Sequence, residues 1–124
     1  MICGIGTDIS EVKRFLKWIK NPSLYNRFFN EKEIMDKGTD NAKCQHYAAR
    51  FAAKEAFSKA LGTGLIFDLK DVFITNNEEG KPLLNVIGKA ADILEEKYGK
   101  CVLHVSLSHE KEYAIAFVVI ETMD

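Results

Sequence analysis

Residues 50–64 read RFAAKEAFSKALGTG, and the rest of the chain is best interpreted outward from this stretch. Alanines recur there at three- and four-residue spacing, and no proline or β-branched residue comes before Gly62. This composition predicts a long helix, over about residues 42–61, with a stripe of small side chains that lets another element approach closely. Gly62 and Gly64 are expected to end it. Because Glu55 follows Phe51 by one turn, we expect its carboxylate in a partly apolar setting.

The overall composition describes a single globular domain over residues 1–124. A chain of 124 residues, 47% of them hydrophobic, can bury a core without disulfides. Its net charge of −1 argues against a general nucleic-acid binder. No apolar run approaches the ~20 residues of a membrane span, and no signal peptide is evident. The three cysteines, with no CxxC pair, fit a reducing cytoplasm better than a disulfide framework.

Hydrophobic periodicity divides the remaining chain into short elements. Residues 2–6 predict a strand, and the apolar positions from Ile9 to Ile19 predict a helix after it. A short helix over 23–29 and a capping box at 30–33 precede the long helix. After it we predict strands at 71–75 and 81–86, a helix at 88–98, and strands at 102–108 and 113–120, the last of them covered on both faces. The order β-α-α-α-β-β-α-β-β predicts an α+β domain, a small antiparallel sheet packed against helices.

Charged residues at the element ends are the candidates for chemistry. Asp8 follows the first strand, where it is either an N-cap of the next helix or a metal ligand. Asp8 and Glu55, with Lys54 and Lys59 nearby, suit a Mg²⁺ ion that holds a substrate diphosphate, because Mg²⁺ typically takes only one or two protein carboxylates. A solvated Glu55–Lys59 pair, contributing about 0.3–0.5 kcal/mol, is the alternative. Spacing by itself does not show that Asp8, Glu55 and His109 converge.

Two segments carry a family resemblance, GIGTDI at residues 4–9 and RFAAKEAFSKA at 50–60. They resemble the two signature motifs of the 4′-phosphopantetheinyl transferases. GKP at 80–82, VSLSH at 105–109 and KEYA at 111–114 extend the similarity over nearly the whole chain, and the short length is typical of the bacterial trimeric subgroup. Residues 38–44 and 65–70 match the pattern less well.

The resemblance implies the 4′-phosphopantetheinyl transferase fold and a specific reaction. The family transfers the phosphopantetheine arm of coenzyme A to a serine of apo acyl carrier protein and releases adenosine 3′,5′-bisphosphate. By this similarity Asp8 and Glu55 match the Mg²⁺ ligands, and Lys59 a catalytic lysine beside the coenzyme phosphates. Coenzyme contacts are expected from residues that match the family motifs: Lys54, Lys59, Gly80, Lys81, Pro82 and His109. Glu55, a metal-bound water and Lys59 all remain candidates for the base that deprotonates the serine.

The resemblance also implies partners. Lys13, Arg14 and Lys17 form a basic strip that is either a solvated face or, as in the family, the docking surface for an acidic carrier protein. Members of the subgroup form homotrimers with shared active sites, so His109 is expected to complete the site of a neighbouring chain. A non-catalytic module that binds coenzyme A or a nucleotide, and a Mg²⁺-dependent diphosphate hydrolase, are the alternative functions.

Overall fold

The structure of the protein is a computed structural model that describes residues 1–123. Its strands are β1 (Ile2–Glu11), β2 (Val72–Asn76), β3 (Pro82–Val86), β4 (Cys101–His109) and β5 (Tyr113–Thr122), and its α-helices are α1 (Leu16–Ile19), α2 (Pro22–Phe28), α3 (Asp40–Leu61) and α4 (Gly88–Tyr98). The predicted order of strands and helices is confirmed. None of the helices within residues 1–123 has the length and apolar character needed to cross a bilayer.

The strands form two antiparallel sheets. In the larger sheet β5 lies between β1 and β4, and β2 pairs with β3 in the smaller one. Since β1 is the first strand and β5 the last, their antiparallel pairing brings the N-terminal and C-terminal segments of the chain side by side. The predicted fold class, an antiparallel sheet packed against helices, is confirmed.

Helix α3 is the centre of the core. Thr39 caps its start by accepting a hydrogen bond from the Ala42 N–H, and Gly62 ends it in the left-handed conformation at φ 80°. Its first half packs among aromatic rings of the N-terminal segment, and its second half packs against the larger sheet and α4. Thirteen of its 22 residues are buried, so it is covered on most of its circumference.

The alanine stripe of α3 does what its composition predicts. Strand β1 crosses α3 so closely that a Cβ atom at Gly4 would collide with the backbone of Ala60, and one at Gly6 with the backbone of Ala56. Only glycines on the strand, facing alanines on the helix, permit this approach. The crossing fixes the position of Asp8, which lies two residues beyond Gly6 on the same face of β1.

Two predictions about the sheet are wrong. Strand β1 continues to Glu11, where a helix was predicted from Ile9, because residues 7–11 pair in register with β5. Asp8 therefore lies inside a strand and is not an N-cap. Strand β5 is buried on only one face within the chain, since its odd-numbered residues such as Ile115 and Phe117 are each 44% exposed.

The predicted capping box is confirmed, and it has a consequence for the core. The Asn30 side chain accepts from the Lys32 N–H and the Glu33 side chain accepts from the Asn30 N–H, which shapes a single 3₁₀ turn over Glu31–Glu33. This turn aims Glu33 inward, where it is 1% exposed.

Candidate active site

Three of the predicted site residues meet on one surface, although they are distant in sequence. Asp8 projects from the α3-facing side of β1, while Glu55 and Lys59 lie one turn apart on α3. The Lys59 Nζ atom is 3.1 Å from Asp8 Oδ1, and the Asp8 carboxylate is near enough to Glu55 to raise its pKa. The crossing of β1 over α3 therefore creates an acidic pair with a lysine beside it.

Glu55 has the partly apolar setting that its spacing from Phe51 predicts. Its pKa is raised above the ordinary 4.5, first by desolvation and then by the negative charge of Asp8, while Lys59 and Arg14 oppose the shift. Arg14 lies near because its guanidinium stacks over the Phe51 ring, 5.1 Å from the ring centroid. Two carboxylates that repel each other in a half-buried position form a site that a cation would stabilise.

Lys54 is not available to a ligand, contrary to the predicted coenzyme contact. Its side chain is 1% exposed and its Nζ donates to Glu33 Oε1 at 2.6 Å, to the Val72 carbonyl at 2.6 Å and to the Leu69 carbonyl at 3.0 Å. Burial lowers the pKa of Lys54, and the attraction of Glu33 opposes that shift. All three protons of the ammonium have protein acceptors, so Lys54 is a structural residue that ties α3 to the Glu31–Glu33 turn and to β2.

Three other predicted coenzyme residues are brought together elsewhere, in a groove. Gly80, Pro82 and His109 line a cavity of about 420 Å³ together with the α3 residues His46 and Arg50. Lys81, which was predicted with them, does not line the groove, and its side chain is exposed. We call this cavity, between the first half of α3, the β2–β3 turn and the end of β4, the hairpin groove.

The hairpin groove and the acidic pair lie on opposite sides of α3. His46 precedes Glu55 by nine residues, which at 3.6 residues per turn rotates it by about 180° around the helix. Within one chain the two sets of predicted residues therefore face in different directions.

Comparison with known proteins identifies the family of this chain. A family model, that of the 4′-phosphopantetheinyl transferase superfamily, matches residues 4–118. The chain belongs to this superfamily. It is 47% identical to a holo-[acyl-carrier-protein] synthase of Treponema pallidum, over 98% of this chain and 97% of that protein.

Solved structures of such transferases have the same fold. A holo-[acyl-carrier-protein] synthase from Neisseria meningitidis is similar with a TM-score of 0.83 at 34% identity, over 98% of this chain and all of that one. One from Bacillus anthracis, solved in complex with CoA (3′,5′-ADP), is similar with a TM-score of 0.77 at 35% identity, over 98% of both chains.

The hairpin groove of this transferase contains polar residues that sequence reasoning missed. Arg50 donates to Asn76 Oδ1 at 3.1 Å, and the Asn76 amide in turn donates to the Gly80 carbonyl at 3.0 Å, so the arginine is tied to the turn of the β2–β3 hairpin. His46 Nε2 lies 2.6 Å from the Glu33 carbonyl oxygen. Because a carbonyl only accepts, this nitrogen must carry the proton.

In its neutral form His46 has this proton on Nε2 and an acceptor at Nδ1, and its pKa favours that form at neutral pH. Its pKa is lowered from 6.5 to about 4, chiefly by desolvation and next by the positive charge of Arg50. The available sequence signal was the four-residue spacing of His46 and Arg50, which places both on one face of α3 immediately before the signature segment.

Proposed function

We propose that this protein transfers the 4′-phosphopantetheine group from coenzyme A to a serine hydroxyl of apo acyl carrier protein, with Mg²⁺, and releases adenosine 3′,5′-bisphosphate. Membership of the superfamily supports the reaction class, and the T. pallidum relative is named for it. The observation that carries the proposal is the convergence of Asp8, Glu55 and Lys59 from β1 and α3. In-line phosphoryl transfer needs such positioned charge more than covalent catalysis.

The donor set of the acidic pair fits Mg²⁺. Among residues 1–123 no group of three or more His, Cys, Asp or Glu side chains could hold a metal ion, so a protein cage of the zinc or calcium kind has no support. Two carboxylates leave most of an octahedral shell to waters and substrate phosphate oxygens, which is the usual arrangement for Mg²⁺. The bound ion would supply positive charge to the diphosphate of coenzyme A.

Lys59 would neutralise charge on the same diphosphate. Its side chain is 55% exposed beside Asp8, so its ammonium can turn to a phosphate oxygen without crossing the core. Lysine acts on a phosphate as a mobile point charge. Asp8 and Glu55 would thus hold the cation, and Lys59 would stabilise the charge that develops on the departing bisphosphate.

The hairpin groove suits the nucleotide end of coenzyme A. Arg50 brings a fixed positive charge, and the exposed His109 stands at the groove wall. Neutral His46 offers a hydrogen-bond acceptor from Nδ1. This combination can bind an anionic phosphate beside an aromatic base, and the related B. anthracis structure is a complex with CoA (3′,5′-ADP).

A homotrimer with shared sites would bring groove and pair together. The outer face of the larger sheet supports such an assembly, because in one chain it exposes an apolar surface. Its members, each 40–60% exposed, are Ile5, Ile9, Val102, Tyr113, Ile115 and Phe117. A contiguous apolar face of this kind usually marks a protein interface. We propose that copies of the chain bury this face and so place His109 of one chain beside the acidic pair of the next.

The carrier protein would dock on the basic strip of Lys13, Arg14 and Lys17. All three side chains are exposed, on the turn after β1 and on α1. Arg14 stacks on Phe51, one helical turn before Glu55. An acidic partner held by Arg14 would therefore present its serine close to the acidic pair.

Intact-mass spectrometry of the carrier protein tests the function. The protein is incubated with coenzyme A, Mg²⁺ and apo acyl carrier protein, and we expect the carrier to gain one phosphopantetheine. Asp8→Ala and Glu55→Ala should abolish the gain, whereas Asp92→Ala, which removes an exposed carboxylate on α4, should not. Free phosphopantetheine formed without carrier would indicate the hydrolase, and binding without turnover would indicate a non-catalytic module.

Steady-state kinetics test the docking surface separately. Arg14→Glu should raise the KM for the carrier protein by at least about tenfold, since a rim charge reversal replaces attraction by repulsion. The KM for coenzyme A should not change. Lys89→Glu, a matched reversal on α4, should leave both values alone. Equal losses for both substrates in Arg14→Glu would contradict the assignment.

A further inference from the structure

Lys59 donates a hydrogen bond to a carboxylate oxygen of Asp8 that the proposed metal site needs as a ligand. Its Nζ atom lies 3.1 Å from Asp8 Oδ1 and 3.0 Å from the Thr7 carbonyl oxygen. Both acceptors belong to β1, so the side chain reaches across from the last turn of α3 to the strand. The ammonium thus stands where the charge of the acidic pair is concentrated.

The ion pair between Lys59 and Asp8 is weak enough to exchange partners. The Lys59 side chain is 55% exposed and that of Asp8 18%, so the pair is at the surface and its attraction is screened. Lys54, five residues earlier on the same helix, is the contrast, since it is 1% exposed and fixed by three acceptors. One motif therefore contains an immobile structural lysine and a releasable one.

We infer that Lys59 is a placeholder cation: its ammonium pairs with the Asp8 carboxylate in the free protein and moves to the diphosphate when coenzyme A binds. This inference rests on the proposed function. In the free protein Lys59 relieves the repulsion between Asp8 and Glu55 and competes with a divalent cation for Asp8. When coenzyme A binds, its phosphates offer Lys59 a stronger partner and Asp8 is released. Divalent cation and coenzyme therefore bind synergistically, and the free protein holds the cation weakly.

Metal binding without turnover tests the placeholder. Mn²⁺, which accepts the same oxygen ligands as Mg²⁺, is titrated into the protein, and the free ion is measured by electron paramagnetic resonance. Lys59→Gln should bind Mn²⁺ about tenfold more tightly than the unmodified protein in the absence of coenzyme A, because a competing positive charge has left the site. Lys59→Arg should retain weak binding. Thermal melts by circular dichroism check that each variant is folded.

Arg14→Gln is the matched control. It also removes a positive charge that acts on Glu55, but Arg14 makes no ion pair with Asp8. We expect it to change Mn²⁺ affinity by less than about twofold, as a screened charge does. If it tightens binding as much as Lys59→Gln does, the local field and not occupancy of Asp8 is responsible, and the inference is overturned.

The coenzyme arm measures the synergy. A saturating amount of coenzyme A should tighten Mn²⁺ binding to the unmodified protein by at least about tenfold more than to Lys59→Gln, and by linkage Mn²⁺ should tighten coenzyme binding equally. A protein-free titration sets the background. Equal Mn²⁺ affinities of Lys59→Gln and the unmodified protein without coenzyme would refute the placeholder role of Lys59. Loss of Mn²⁺ binding in Asp8→Asn would still support the proposed metal site. Unchanged binding in both Asp8→Asn and Glu55→Gln would overturn the two together.

Discussion

The buried ion pair of Lys54 and Glu33 gives the clearest quantitative prediction, because it separates a structural lysine from a coenzyme contact. Lys54→Met keeps the aliphatic stem but removes the ammonium. The variant leaves the Glu33 carboxylate charged at 1% exposure, and it leaves the Leu69 and Val72 carbonyls without their lysine donor. Removing one partner of a buried pair costs about 3–5 kcal/mol, so we expect a loss of about 4 kcal/mol.

Urea unfolding at matched protein concentration measures this loss. With a denaturant slope near 1.5 kcal/mol per molar, the midpoint should fall by about 2–3 M. Adding Glu33→Gln should restore only about 1 kcal/mol. The unpaired charge disappears, but the single amide oxygen can accept from only one of the two N–H groups, those of Asn30 and Ile74, that the two carboxylate oxygens serve. Lys59→Met, the same substitution on the exposed part of the helix, should cost less than about 1 kcal/mol.

The folded fraction of Lys54→Met should bind coenzyme A with an unchanged KM. A variant that keeps its stability within about 1 kcal/mol and loses coenzyme affinity would refute the argument. Such a result would return Lys54 to the coenzyme site.

Three further predictions concern the β1–α3 crossing, the acidic pair and the sheet face. Gly6→Ala should lose about 1–3 kcal/mol in urea unfolding and most of its transfer rate, because the new Cβ collides with the Ala56 backbone and displaces Asp8; unchanged activity would contradict the crossing. Folding raises the pKa of Glu55, so the contribution of this side chain to the free energy of unfolding is favourable below its unfolded-state pKa of about 4.5. That contribution is lost as the pH rises above the folded-state pKa. With a chelator present to remove metal ions, Glu55→Gln should therefore raise the melting temperature by about 2 °C at pH 7 and leave it unchanged near pH 4. An increase in melting temperature that becomes larger at acidic pH would contradict the direction of the pKa shift. Phe117→Glu should reduce the molar mass measured by light scattering to that of a single chain, while the helix content remains unchanged. An unchanged molar mass would exclude the outer face of the larger sheet from the interface.

Local pattern was sufficient where the intrinsic helix propensity of a segment agrees with its place in the core. Helix α3 was predicted over 42–61 and spans Asp40–Leu61, since its propensity, its small stripe and its glycine stop agree. The pattern failed at the end of β1, where Ile9 and Val12 are three residues apart as in a helix. Ile9 nevertheless lies in a strand, because pairing with β5, more than a hundred residues away, overrides local preference.

The residue pattern was enough to predict the α+β class, the long helix with its alanine stripe, and the residue types that a magnesium–diphosphate site requires. How those residues are grouped depends on the tertiary structure. It joined Asp8 to Glu55 through a glycine–alanine crossing, buried Lys54 against Glu33, and placed the hairpin groove on the far side of α3 with Arg50 and Asn76. The physical reason is that periodicity reports which face of an element is buried, whereas the partner that buries it depends on contacts between segments distant along the chain.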